Sequence, residues 1–490
     1  MRLKIAARKS DLARLQAYRV GNALRQKFPS LEIEYQFKES LGDKNLHDPL
    51  WKMPERGVFT EDFHADLLAE NIDLVVHSWK DLPTEEREGS EICATLPRAD
   101  SRDLLLVKKS ALARKTRQLK LFSSSPRRAY TLPPFLKNYF PYHIDSVEFQ
   151  SVRGNIATRL RKYRELEIDG LLVAKAALDR LLETSEPEFA DSQKEIRSAL
   201  EISQWMVLPL EAQPTAAAQG ALAIEVKSSR SDLKKFLSAI NCAATLRAVE
   251  RERKILSGYG GGCHQKIGIS VIPLGELGDV IYLRGETDKG EILNSTKLNG
   301  PSKPEQFSPA QKWPETPEGK LFSRHALNVS QPKVNALFVT REESLPESWN
   351  ISAETIVWTS GLKTWKKLSD RGIWVNGSCE SRGETLPEVQ GLAPQAKFVK
   401  LSHTGAPEDL MPVVATYELR PTPNPPSFAG KKSFFWMSGS AFDEALRLDS
   451  GILQGEHACG PGHTYTHLRK ILPKDKKIQV FLSYKDWQAG

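Results

Sequence analysis

The sequence predicts an α/β protein with several domains on largely parallel sheets, divided into a unit over about 1–300 and a smaller one over about 334–490. Three observations carry this. Short β-rich runs alternate with helical patterns through most of the chain, and that rhythm is the signature of α/β units. A proline-rich stretch, 301–333, interrupts the rhythm once, with six prolines and no sustained apolar periodicity. The 490 residues, at roughly 100–200 per domain, leave room for three or four domains.

Taken in order, the strands expected in the first unit are 3–7, 31–37, 72–79, 169–174, 221–226 and 279–286. Between the first two, Ser10 suits an N-cap, and Leu12, Leu15 and Tyr18 or Arg19 recur at helical spacing. Proline lacks an amide donor and fixes φ, so 301–333 reads as an extended linker. Strands resume at 334–340, 355–360, 397–402, 433–438 and 478–483, and a second proline cluster, 421–426, marks a candidate hinge within the C-terminal unit. That unit looks short for two full lobes.

Composition excludes several classes. With 40% hydrophobic and 27% charged residues the chain can build packed cores. The net charge is +8, but residues from 311 onward hold 22 basic and 19 acidic side chains, so the surplus is spread along the chain. That distribution favours scattered sites for small anions over a phosphate-tracking surface, and no nucleic-acid partner is expected. The N-terminus lacks a signal-like apolar core and no apolar run is long enough to span a bilayer; the expectation is a cytoplasmic protein without a membrane partner. Five cysteines, an odd and sparse set, do not make a disulfide framework.

Three segments carry chemistry. In VVHSWKDLP (75–83) an apolar strand runs into His77, Ser78, Lys80 and Asp81, polar groups where α/β sheets place ligands; a solvated turn with an ion pair is the local alternative. SSSPRRA (123–129) supplies Ser124, Ser125, Arg127 and Arg128, and SVRGNIATRL (151–160) supplies Arg153 and Arg159 around a Gly-Asn turn. Asn155 can cap the following helix, which would set Arg153 near a helix N-terminus. Arginine forks bind carboxylates bidentately, so the cluster suits a polycarboxylate; surface ion pairs are the alternative. In GYGGGCHQKIG (258–268) three glycines precede Cys263, an accessible thiol that could serve as nucleophile, metal ligand or attachment point.

Together and in this order, these segments resemble the porphobilinogen deaminase (hydroxymethylbilane synthase) family. The likeness begins at IAARKSDLARLQA (5–17), runs through GVFTEDF, RADSRD (98–103) and AAAQGALAIE (216–225), and continues past ERKILSGYGGGC (252–263). It implies two periplasmic-binding-protein-like domains, 1–97 plus 198–217 and 98–197, and a small α/β domain, 218–300, presenting the cofactor loop. It also implies a dipyrromethane cofactor held by a thioether to Cys263. Four porphobilinogen molecules are then joined head to tail with loss of ammonia, and water releases hydroxymethylbilane. Asp81 takes the family's catalytic position against pyrrole nitrogens. Arg8, Ser10, Lys80, Ser124, Ser125, Arg127, Arg128, Arg153 and Arg159 take the carboxylate-binding positions. A monomer is expected. This sequence departs from the family at Arg56, Phe122, Pro126, Ala218 and Lys266, none of which removes a chemical group.

Beyond the linker, FVTREE, TIVWTSG, FFWMSGSAFDEAL and ACGPGHTYTHLRKI resemble uroporphyrinogen-III synthase, whose substrate is hydroxymethylbilane. The resemblance implies a cyclising domain over 334–490, with Ser360, Ser438 and Thr464 as candidate contacts to carboxylates, and a helix start at Ser440 with Glu444 behind it. A competing reading is metallic: His457, Cys459, His463 and His467 lie close in sequence, and tetrahedral zinc accepts such ligands. No metal is expected.

Overall fold

Burial on both faces of the central strands sets the architecture. In the computed structural model, which describes residues 2–39, 61–261, 265–300, 307–317, 319 and 321–489, Leu3, Ile5 and Ala7 pack with Val20 and Leu24 on one face of a sheet. Ala6 and Val75 pack with Phe63 and Leu67 on the other face. A strand covered on both sides reads as an apolar run, which is why 3–7 and 74–76 were legible as strands.

The chain divides into two compact units, 1–273 with 281–296, and 274–280 with 297–490. The first unit contains β1 (Arg2–Arg8), β2 (Glu32–Lys38), β3 (Leu74–Ser78), β4 (Ser90–Ala94), β5 (Asp103–Lys108), β6 (Gln118–Phe122), β7 (Ser146–Gln150), β8 (Gly170–Ala174), β9 (Ser203–Val207) and β10 (Leu222–Lys227). They form two five-stranded sheets, ordered β2-β1-β3-β10-β4 and β7-β6-β8-β5-β9. Helices used below are α1 (Asp11–Lys27), α2 (Pro126–Tyr139), α3 (Ile156–Glu165), α4 (Lys175–Glu183) and α5 (Ala243–Ser257). After α5 comes a three-stranded sheet of β11 (Gly268–Pro273), β12 (Asp279–Glu286) and β13 (Ile292–Asn299).

The sheets are mixed rather than largely parallel. β10 runs antiparallel to β3 and β4, and β5 runs antiparallel to β8 and β9. This moves the expected domain limits. Residues 203–207 pair with β5 in the second sheet, whereas 198–217 had been expected to return to the first. β10, expected in the third domain, completes the first sheet. Strand pairing depends on partners distant in sequence, so local periodicity does not assign it.

Two segments cross between the sheets, 95–102 and 208–221, and they are laced together. Ala99 N donates to the Gly220 carbonyl at 3.1 Å, and Arg180, on α4, donates to the same oxygen at 2.6 Å. Gly220 has φ +86°, and a Cβ there would lie 2.6 Å from the Ala99 oxygen. Ala218, where the family carries glycine, keeps the left-handed backbone at φ +65°, a strain of about 1–2 kcal/mol for a residue with a Cβ. Buried Glu252 holds the joint: it accepts from both Arg98 terminal nitrogens (2.7 and 2.9 Å), Ala218 N (2.7 Å) and Val271 N (2.8 Å).

The second unit contains β14 (Lys312–Trp313), β15 (Phe322–Ala326), β16 (Ala336–Val339), β17 (Ile356–Thr359), β18 (Gly377–Ser378), β19 (Phe398–His403), β20 (Val413–Pro421), β21 (Ser433–Trp436), β22 (Glu456–Cys459) and β23 (Ile478–Val480). Its helices include α6 (Leu362–Asp370), α7 (Gly439–Leu448) and α8 (His463–Ile471). Two sheets result, β14-β21-β22-β23 and β15-β20-β19-β16-β17-β18, so the unit holds two sheets where the sequence had looked too short for two lobes. The expected linker is corrected in part: 301–306 lie outside the described residues, but β14 and β15 fall inside 301–333 and belong to these sheets. The chain enters the first sheet, passes into the second and returns after Pro421, so the 421–426 cluster lies at the return crossing. Among the described residues no helix is long and apolar enough to cross a membrane.

Candidate active site

Parallel pairing builds the first half of the site. β1 lies beside β3 with Ala6 opposite Val75, so Arg8 and Ser10 emerge next to Ser78 and the turn Trp79–Asp81. A cavity of about 80 Å³ there is lined by Arg8, Ser10, Gln16, Val76, Ser78 and Asp81. Ser10 occupies the N-cap position of α1, but its hydroxyl makes no capping bond. Asp81 is exposed and Lys80 partly buried. Behind them Ser78 and Gln16 exchange hydrogen bonds at 2.9 and 3.0 Å, and His77 Nε2 meets Glu225 at 2.8 Å.

The second sheet supplies the other half in the same way. Phe122 lies opposite Gln150, so the serine loop after β6 meets the arginine loop after β7. Ser124 Oγ accepts from Val152 N at 3.0 Å and lies 2.8 Å from Ser151 Oγ. Ser125 caps α2 by accepting from Arg128 N, and Asn155 caps α3 by accepting from Thr158 N at 2.9 Å.

Electrostatics draw the two halves together. Burial pulls the Arg159 guanidinium down to about 10; Arg128, Arg153 and Arg8 reinforce this, and Asp81 opposes it. Burial also brings the Lys80 ammonium down to about 8, with Asp81 opposing and Arg128 and Arg159 adding to it. Arg8, Lys80, Arg128, Arg153 and Arg159 therefore share one electrostatic neighbourhood with Asp81. A carboxylated ligand suits such a surplus of cations.

Arg127 differs from its neighbours. It is 4% exposed and donates to Asp103 at 2.8 Å and to the Pro214 carbonyl at 2.9 Å. Arg128 donates to the other Asp103 oxygen at 2.6 Å and to the Leu172 carbonyl at 3.2 Å. Arg127 thus spends its terminal nitrogens on the frame of the second sheet. Arg128 shares Asp103 but also acts on Lys80 and Arg159. Asp103, Gln16, Gln219 and Glu252 went unassigned in the sequence. The signal for Asp103 was a lone acid opening the apolar run DLLLV, and for Gln219 a polar residue inside AAAQGALA; Glu252, within the charged run ERERK, had none.

Cys263 and His264 lie outside the described residues, as does Arg56. The loop edges are described. Gly260 and Gly261 have φ +99° and +64°, and a Cβ on Gly261 would come 2.4 Å from Thr84 Oγ1. Arg253, on α5, donates to the Leu82 carbonyl at 3.2 Å and also to the Pro83 carbonyl. The glycine loop therefore begins beside the turn that follows Asp81.

In the second unit, Ser360 Oγ donates to the Thr340 carbonyl at 2.7 Å, after β17. Ser438, rather than Ser440, caps its helix, accepting from Ala441 N at 3.2 Å, and Glu444 pairs with Arg447. Thr464 lies in the first turn of α8. The loops after β18 and β22 meet where a Cβ on Gly462 would approach Gly383 Cα to 2.8 Å.

The metallic alternative finds no cluster among the described residues. His457 and Cys459 are sealed in the core, burial raises the Cys459 thiol to about 12, and His467 is 2.7 Å from Asp443. His457 Nδ1 accepts from Trp436 Nε1 at 3.0 Å. Burial lowers its imidazole from 6.5 to about 4, with Lys476 adding to the effect. The unfolded ring thus takes up a proton before the folded one, so stability is lost as pH falls from 6.5 toward 4. The expected loss between pH 7 and 5 is on the order of 2 kcal/mol, read as a lower denaturant midpoint and flattened in His457→Gln. Equal pH dependence in both proteins would refute this.

Comparisons with known proteins point to one family. Residues 3–235 match the family described as porphobilinogen deaminase, dipyromethane cofactor binding domain. The chain is 34% identical over 285 residues to the porphobilinogen deaminase of Syntrophomonas wolfei, covering 58% of this chain and 84% of that protein. It is 32% identical over 311 residues to that of Chlorobium phaeobacteroides, covering 63% and 91%. With this coverage, and with the cationic cluster gathered around Asp81, the chain belongs to the porphobilinogen deaminase family.

Proposed function

We propose that the first unit is a hydroxymethylbilane synthase, condensing four porphobilinogen molecules head to tail with loss of ammonia. The observation that carries this reading is the gathering of Arg8, Lys80, Arg128, Arg153 and Arg159 around Asp81, beside the root of the glycine loop. Each substrate bears an acetate and a propionate, and the cations neutralise and orient these groups. Asp81 accepts from the pyrrole N–H of the incoming substrate. Its carboxylate stabilises the positive charge that develops as ammonia departs, and it can accept the proton released when the new ring regains aromaticity. When bound through a thioether to Cys263, the dipyrromethane supplies the pyrrole terminus on which growth begins. The hydroxyl of Ser10, which makes no capping bond, provides a neutral donor beside Asp81.

The intact mass of the chain produced in cells that make porphobilinogen tests the attachment. A covalent two-pyrrole adduct is expected, and it is expected to vanish in Cys263→Ser; an unmodified parent mass would overturn the reading.

For the second unit we propose a uroporphyrinogen-III-synthase-like role, cyclising the linear product. Support comes from its two sheets and from Ser360, Ser438 and Thr464 after the carboxyl ends of β17, β21 and β22. Identification of the cyclised product decides it: formation of only the spontaneous, non-inverted isomer would exclude cyclase activity.

A further inference from the structure

Gln219 lies where the two crossing segments pass each other, and it is 1% exposed. Its Nε2 donates to the Ser101 carbonyl at 2.7 Å and to Asp103 Oδ1 at 2.8 Å. A carbonyl and an arginine-paired carboxylate only accept, so the NH2 end of the amide must face them and Oε1 must face away. On that side Oε1 accepts from Lys80 Nζ at 3.3 Å. A reversed amide would set its NH2 against an ammonium and its oxygen against a carboxylate. The backbone is held as well, because Arg98 Nε donates to the Gln219 carbonyl at 2.9 Å.

We propose that Gln219 is a positioning residue of the anion-binding site: its fixed amide carries a hydrogen-bonded link from Lys80, at the end of the first sheet, to Asp103, Arg127 and Arg128 at the start of the second. The link places a carbonyl dipole on an ammonium that is otherwise crowded by cations. Asp81 and Asp103 favour the charged form of Lys80, whereas burial, Arg128 and Arg159 oppose it. Removing the dipole therefore weakens Lys80 as a cation, and replacing it by a carboxylate strengthens it. The meaning of Lys80 for catalysis rests on the deaminase reading, but the chain's own titration does not.

The test is competitive acylation of the full chain from about pH 6 to 10, with Lys80 labelling followed by peptide mass. In Gln219→Met the Lys80 titration is expected to move down by about 1–2 pH units, the size of one hydrogen bond to a charged group. In Gln219→Glu it is expected to move up. The pH at which alkaline conditions abolish turnover should follow in the same two directions. A merely structural role would lower the melting temperature and leave Lys80 unchanged. Parent-like titration in both variants, or a shift of the same sign in both, would overturn the proposal. If the methionine variant does not fold, the near-isosteric glutamate variant decides alone. An absent pyrrole adduct in the parent would fail the deaminase reading without altering these titrations.

Discussion

Asp81→Ala is expected to lower turnover by roughly 10²- to 10⁴-fold at saturating substrate, the range removed with a positioned acid–base or charge-stabilising group. Asp81 is the carboxylate that opposes the combined pull of Arg8, Arg128 and Arg153 on Arg159. The same charge holds the Lys80 ammonium up. Without it the cations still attract substrate carboxylates, so KM should change far less than kcat. Positive charge developing on a pyrrole would then meet an entirely cationic wall. Asp81→Asn, which keeps the size and removes the charge, should lose nearly as much. Because Asp81 is exposed, neither change leaves a cavity, and the melting temperature should stay near that of the parent. Turnover within tenfold of the parent would remove Asp81 from the mechanism.

Asp103→Ala should be the most damaging change to stability in the first unit. The carboxylate is fully buried and accepts from Arg127, Arg128 and Gln219. The two guanidiniums hold it well below the usual carboxylate range despite burial. Truncation would leave two largely buried arginines without their counter-charge, a situation that costs about 3–5 kcal/mol. The urea midpoint of the first unit should fall with an unchanged slope, since no additional surface is exposed on unfolding. The carboxylate is held charged in the folded state, so its contribution is present at neutral pH. It begins to fall as pH drops toward the ordinary carboxylate value of about 4 and is gone once pH has passed through the depressed value. A loss below about 1 kcal/mol would show that the arginines find other acceptors.

Much of this architecture was legible. The runs 3–7, 72–79, 169–174 and 433–438 are strands because both of their faces are covered, and continuous apolar residues record that directly. Asn155 was legible as a cap from its short acceptor side chain before a helical pattern. Asp81 and Cys263 stood out because their neighbours form a specific motif order rather than a local propensity. Proline content misled at 301–333: Lys312 and Trp313 pair with β21 despite the surrounding prolines, because pairing requires only a few extended residues with free donors.

The sequence by itself determined the α/β class, the division near residue 300 and a set of residue types suited to carboxylates. These are properties of periodicity and of motifs a few residues long. Only the tertiary structure decided which partners the arginines take. Arg127 and Arg128 are adjacent in the chain and chemically identical, yet Arg127 spends its terminal donors on Asp103 and Pro214, while Arg128 also acts on Lys80 and Arg159. Tertiary structure likewise carried β10 into the first sheet and set Gln219 between Lys80 and Asp103. These contacts join residues more than a hundred positions apart, or turn on the side chain's direction in space, and short-range spacing encodes neither.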